Sequence, residues 1–170
     1  MFRLPYKVNG FTLIEIMVVL IIIGVILTFT TLSIGDGGVS QKMEQEAQRL
    51  ASLLTMASID AIMQSKEMGV SFDIDGYHFC VFQEQRCQPI RDDIFRPRKF
   101  PPFLQMELHL EDEPIVLNGT PKNAPQLLLL SSGEFTPFEV IFSVKSNETP
   151  PYRLVGTATG KMSRQQDELF

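Results

Sequence analysis

The chain contains no tryptophan, and only three tyrosines and two histidines occur in its 170 residues. That leaves no obvious aromatic platform on which bases could stack. Cations are the minority, with 15 Lys and Arg against 20 Asp and Glu and a formal charge of −5. Phosphate backbones are held by Lys and Arg that neutralise them, so nucleic acid is not an expected partner. Neither G-x-S-x-G nor H-E-x-x-H is present, and no nucleophile is found with a base. His78 and His109 fall in different predicted strands, and adding Cys80 gives no metal-binding spacing. Enzyme activity, a metal centre and a cofactor are therefore not expected. Proline is absent between Pro5 and Pro89, so any break in the helical pattern there falls to glycine.

The first ten residues, MFRLPYKVNG, hold Arg3 and Lys7 and no acid. Positive residues favour the cytoplasmic side of a membrane, and the stretch reads as a short leader. An apolar run follows over residues 16–34, about the length that spans hydrocarbon. An ordinary secretory signal is cut after its apolar core, beside small residues. Here the run continues Leu27-Thr28-Phe29-Thr30-Thr31-Leu32-Ser33-Ile34-Gly35 without such a site. The apolar run is expected to stay in the mature protein. Glu15 stands at its mouth. A carboxylate at mid-bilayer costs ~2.5–3.5 kcal/mol on insertion scales, and it needs a partner. A cut after Gly10 would give Phe11 a free α-amino group. That cation could neutralise Glu15 of a neighbouring copy or a related subunit.

Gly10-Phe11-Thr12-Leu13-Ile14-Glu15, continued by Ile16-Met17-Val18-Val19-Leu20-Ile21-Ile22-Ile23-Gly24, resembles the N-terminus of type IV pilins and type II secretion pseudopilins. The resemblance implies that Gly10 is the last leader residue. It implies that Phe11 is the first mature residue, N-methylated by the prepilin peptidase. It implies that Glu15 serves methylation and subunit registration. A second stretch, Leu128-Leu129-Leu130-Ser131-Ser132-Gly133-Glu134-Phe135-Thr136-Pro137-Phe138, resembles the C-terminal pattern of H-type minor pseudopilins and their minor pilin relatives. The function implied is that of a minor pseudopilin, a structural subunit of the type II secretion pseudopilus that exports folded proteins across the outer membrane. The alternative is a minor type IV pilin in pilus assembly, adhesion or DNA uptake. The partners implied are the major pseudopilin, other minor pseudopilins, the prepilin peptidase and the inner-membrane assembly platform. The expected location is the bacterial inner membrane, single-pass, with the N-terminus cytoplasmic before processing and the C-terminal domain periplasmic. Loss of Arg3 and Lys7 with the leader would leave 13 cations against 20 anions.

The expected organisation is a leader over 1–10, a transmembrane helix over 11–34, an amphipathic stem over 35–65 and a β-rich domain over 66–170. Gly35, Gly37 and Gly38 each weaken a helix by up to ~1 kcal/mol relative to Ala, which predicts a bend, fraying or a break. Ser40 is the predicted N-cap of the next helix. Met43, Ala47, Leu50, Leu54, Ala57 and Ala61 recur at steps of four and three, one face of a helix. Gly69 is the predicted end of the helical pattern.

Beyond it the period becomes two. Val70, Phe72 and Ile74 alternate with polar neighbours, Asp75-Gly76 signals a hairpin, and residues 77–82 return as a strand. Residues 87–102, with four prolines, read as loop. Leu104, Met106, Leu108 and Leu110 alternate in a half-buried strand. A short strand over 115–117, a doubly buried one over 127–130, strands over 138–144 and 152–157, and a loose polar tail from 161 complete the prediction. One long N-terminal helix followed by antiparallel strands is an α+β arrangement, the helix covering a sheet face.

Cys80 and Cys87 would pair if the domain faces an oxidising periplasm. Two free thiols, with Cys80 buried in a strand, are the other reading. Asp73-Ile74-Asp75-Gly76 is a fragment of a calcium loop, but Tyr77 and His78 occupy its fifth and sixth positions, where a ligand and a glycine belong, so a hairpin turn is favoured. Arg96-Pro97-Arg98-Lys99-Phe100 is a basic patch, read as a solvated loop or as a contact for an acidic neighbour.

Overall fold

The computed structural model describes residues 12–32, 37–117, 124–145 and 149–166; the side chains of 26–32 and of 37 lie outside that description. The chain divides into two compact units, Met1–Val39 and Ser40–Phe170. In the first unit α1 spans Leu13–Leu32. Every described side chain of α1 from Leu13 to Val25 is exposed. Among the described side chains, which in α1 end at Val25, no helix is long and apolar enough to cross a membrane.

The second helix, α2, spans Gly37–Gln64. It starts three residues ahead of the predicted cap. Gly37 and Gly38 lie in its first turn, where N–H groups have no intrahelical partner in any case. Gly35 and Asp36 lie outside the described residues. Ser40 is thus inside the helix, and its hydroxyl accepts a hydrogen bond from Gln166 Nε2 at 3.2 Å. The apolar stripe lands as the spacing demands: Met43, Ala47, Leu50, Leu54, Ala57 and Ala61 are all fully buried. Each buried Leu of this kind stabilises by about 1.5–3 kcal/mol.

Ser65 ends the helix, four residues ahead of Gly69. It adopts a left-handed φ of 50°. The Lys66 N–H donates to the Ala61 carbonyl at 3.0 Å and the Ser65 N–H to the Ile62 carbonyl at 3.3 Å. These are the paired bonds of a Schellman motif, which satisfies the last carbonyls of a helix.

Ten strands are described: β1 Glu67–Asp73, β2 Gly76–Gln83, β3 Arg86–Pro89, β4 Arg98–Lys99, β5 Leu104–Leu110, β6 Glu113–Ile115, β7 Leu127–Leu129, β8 Phe138–Val144, β9 Tyr152–Gly156 and β10 Met162–Gln166. One sheet runs β3-β2-β1-β7 with β4 on β2, and the other runs β10-β9-β8-β5-β6. All their pairings are antiparallel. Val70, Phe72, Tyr77 and Phe79 from the first sheet join Leu108, Val140, Phe142 and Leu154 from the second and the α2 stripe in one core. Phe100 links the sheets, its ring 5.6 Å from Tyr77 and 5.6 Å from Phe142.

Several predicted boundaries move. The stretch read as loop carries β3 and β4, and the tail read as loose forms β10 against β9. The strand after β5 is β6, Glu113–Ile115, two residues earlier than expected. Leu127 and Leu129 are fully buried while Leu128 and, just after β7, Leu130 are half-buried, so the segment buries one face and not both. Gly76 opens β2 instead of turning the chain. A Cβ there would collide with the Arg98 carbonyl of β4, so glycine is required for close backbone approach.

Candidate functional site at the amino terminus

Gly10 and Phe11 lie outside the described residues. Thr12 and Glu15 are described, and they build the head of α1. The Glu15 N–H donates to Thr12 Oγ1 at 3.3 Å and to the Thr12 carbonyl at 3.1 Å. Thr12 is therefore the N-cap, with Glu15 three residues on. Thr-x-x-Glu is the capping-box pattern, a signal in the sequence that identifies Thr12 as a cap. Glu15 sits in the first helical turn, where the helix dipole favours a negative charge by ~0.3–1 kcal/mol at exposed sites. The local fold thus accommodates a carboxylate at this end, ahead of a segment that is apolar on every side. A helix that is hydrophobic all round must be covered by lipid or by other protein.

The globular unit has a second group of polar side chains beneath α2. Glu46, 8% exposed, receives two hydrogen bonds from Arg49 Nη1, at 2.7 and 2.8 Å. Tyr77 Oη and Arg98 Nε are buried without a hydrogen-bond partner. Burial, and then the Glu46 charge, push the Tyr77 hydroxyl up to about 12. Nothing here pairs a nucleophile with a base.

The remaining sequence candidates are dispersed. Lys99 Nζ meets Asp75 Oδ2 at 3.1 Å, and Arg98 Nη2 donates to the Ile94 carbonyl at 3.2 Å. Arg98 and Lys99 thus make contacts within the chain on β4, while Arg96 and Pro97 lie in loop and, with Lys99, stay exposed to solvent. Asp73 and Gly76 face each other across the β1–β2 turn. His109 Nδ1 lies 3.6 Å from Glu139, which also accepts from Arg153 at 2.7 Å. His78 sits opposite Ser71 in the other sheet. Among the described residues no three His, Cys, Asp or Glu side chains gather to hold a metal. Cys80 and Cys87 are joined by a disulfide, their Cα atoms 5.3 Å apart.

Residues 6–31 match the prokaryotic N-terminal methylation motif, and residues 46–160 match the type II transport protein GspH family. The chain belongs to the GspH family. It is 33% identical over 150 residues to the type II secretion system protein H of Pseudomonas aeruginosa, covering 82% of this chain and 86% of that one. It is 24% identical to the Aeromonas hydrophila protein of the same description, over 96% of both chains. Its fold resembles that of the minor pseudopilin EpsH of Vibrio cholerae, with a TM-score of 0.60 at 24% identity over 74% of this chain and 97% of that one. The solution structure of Escherichia coli GspH is similar, with a TM-score of 0.59 at 18% identity over 75% and 90%. As a GspH member, the chain is a minor pseudopilin of the type II secretion system. These relatives do not favour the minor type IV pilin alternative. GspH membership implies assembly with other pseudopilins and agrees with the α+β order of helix and antiparallel sheets.

Proposed function

We propose that the chain is made as a precursor cut between Gly10 and Phe11 by the prepilin peptidase, that Phe11 is then N-methylated, and that Glu15 registers the subunit in the pseudopilus. The observation that carries this reading is the methylation motif over residues 6–31, in which Glu15 opens an all-round apolar helix. An uncompensated carboxylate in lipid disfavours any packing that leaves it without a cation. The amine of Phe11 on an adjacent subunit supplies that cation. Residues 11–34 anchor the chain in the inner membrane with the globular unit in the periplasm. Its immediate partners are the major pseudopilin, the other minor pseudopilins and the inner-membrane assembly platform. The role is mechanical, with no catalytic step of its own.

Intact-mass and N-terminal sequence analysis of native material tests the reading. A start at N-methylated Phe11 is expected. A start at Met1, or at any position beyond the apolar run, overturns it.

A further inference from the structure

We propose that the Cys80–Cys87 disulfide, and not the backbone of the hairpin, holds β3 on its sheet, so that β3 docks only in the oxidised chain. The turn between β2 and β3 consists of Glu84 and Gln85, with φ of 53° and 61°. Gln83 pairs with Arg86 across it. Two consecutive left-handed residues fit a tight hairpin, but that conformation disfavours residues other than glycine, asparagine or aspartate. The turn therefore opposes the pairing it closes. β3 offers little in return. It is four residues long, lies at the sheet edge and, among the described residues, pairs only with β2. Arg86, Gln88 and Pro89 are exposed, and only Cys87 is half-buried. Cys80, by contrast, is 1% exposed in β2.

The β5–β6 hairpin is an internal comparison. Its turn is also left-handed at two residues, Glu111 and Asp112, of which aspartate tolerates that region better than the Glu and Gln of the first turn. There the short edge strand is anchored by Ile115, which packs against the core. No residue of β3 itself packs into the core; Ile90, immediately after it, does, and the bond from Cys87 to Cys80 holds the stretch between Ile90 and the turn.

Bridge formation follows ordinary thiol–disulfide exchange with a protein disulfide as oxidant. The more accessible Cys87 thiolate attacks one oxidant sulfur, forming a mixed disulfide and releasing the other sulfur as a thiolate. The Cys80 thiolate then attacks Cys87 Sγ and displaces the first. Two electrons pass to the oxidant, and the two protons lost by the cysteines balance those its sulfurs take up. Given the periplasmic placement proposed above, β3 closes only after the chain reaches that compartment.

Hydrogen exchange on the full chain in detergent micelles tests this. In a Cys80→Ala/Cys87→Ala variant, amides of residues 86–88 are expected to exchange at least tenfold faster, with β8 unchanged. Equal protection of β3 in both proteins overturns the proposal. Loss of protection throughout, β8 included, also overturns it, because the bridge would then support the whole unit. Adding Glu84→Asn and Gln85→Gly to the cysteine-free chain is expected to restore β3 protection to within about threefold of the parent, as an Asn-Gly turn suits this hairpin. Failure to restore it overturns the argument from the turn. The measurement on purified protein is independent of compartment. Alkylation mass of the two thiols in cells tests the compartment separately.

Discussion

The side chain of Gln126 completes the backbone pairing of Phe72. The Phe72 N–H donates to Gln126 Oε1 at 2.9 Å, and Gln126 Nε2 donates to the Phe72 carbonyl at 3.0 Å. Met68 pairs with Leu129 and Val70 with Leu127. The same register carried two residues further sets Phe72 against Pro125, which has no N–H to give. The amide of the next residue supplies both the donor and the acceptor. Gln126→Ala should leave two polar groups unpaired beside the buried Phe72 and destabilise the globular unit by about 1–3 kcal/mol. Denaturant unfolding followed by circular dichroism measures this. A change within error would show that water replaces the amide.

At the end of α2, Ser65→Gly should stabilise. Ser65 is the left-handed residue of the Schellman motif, a position where glycine escapes the Cβ penalty. The gain should be about 0.5–1 kcal/mol, below the full left-handed penalty because glycine also frees the unfolded chain. A thermal melt that moves down instead would refute it.

Tyr77 gives the fold a weakness to alkali. Its hydroxyl is raised from 10.0 to about 12 by burial first and by Glu46 second. The unfolded chain loses this proton more readily, so the contribution to stability is complete below pH 10 and lost as pH rises through 12. Tyr77→Phe should flatten that fall. Because the hydroxyl has no partner, the change should also raise stability near neutral pH by about 1 kcal/mol. Unfolding curves at pH 8 and 11 for both proteins decide it, and parallel losses would refute the assignment.

Processing and registration separate by mutation. Gly10→Val should block cleavage and leave a heavier precursor, seen by intact mass. Glu15→Val should still insert, since it removes a charge that lipid disfavours, but should impair methylation or incorporation into the pseudopilus. Normal secretion and incorporation of Glu15→Val would make that carboxylate dispensable.

The parts legible in the sequence are those whose side chains set their own environment. The α2 stripe from Met43 to Ala61 and the alternation of Leu104, Met106 and Leu108 in β5 both report a buried face directly. The Gly10 to Glu15 motif was legible as a pattern of chemistry. What escaped depends on neighbours. β3, β4 and β10 are short and polar, and each is a strand because another strand lies beside it. No local rule gives Arg98 and Lys99 as strand, since Gly76 must first leave room for their backbone. The choice of Gly37 over Ser40 as the start of α2 turned on a first turn that tolerates either.

Across residues 13–25 α1 carries one charge, Glu15, and otherwise only apolar side chains and Gly24. Such a rod has no preferred azimuth: spun about its long axis, it shows much the same oily surface to whatever surrounds it. Glu15 is the one compass mark on it. In the packing proposed above, angular order among neighbouring subunits falls to that mark and to the globular ends.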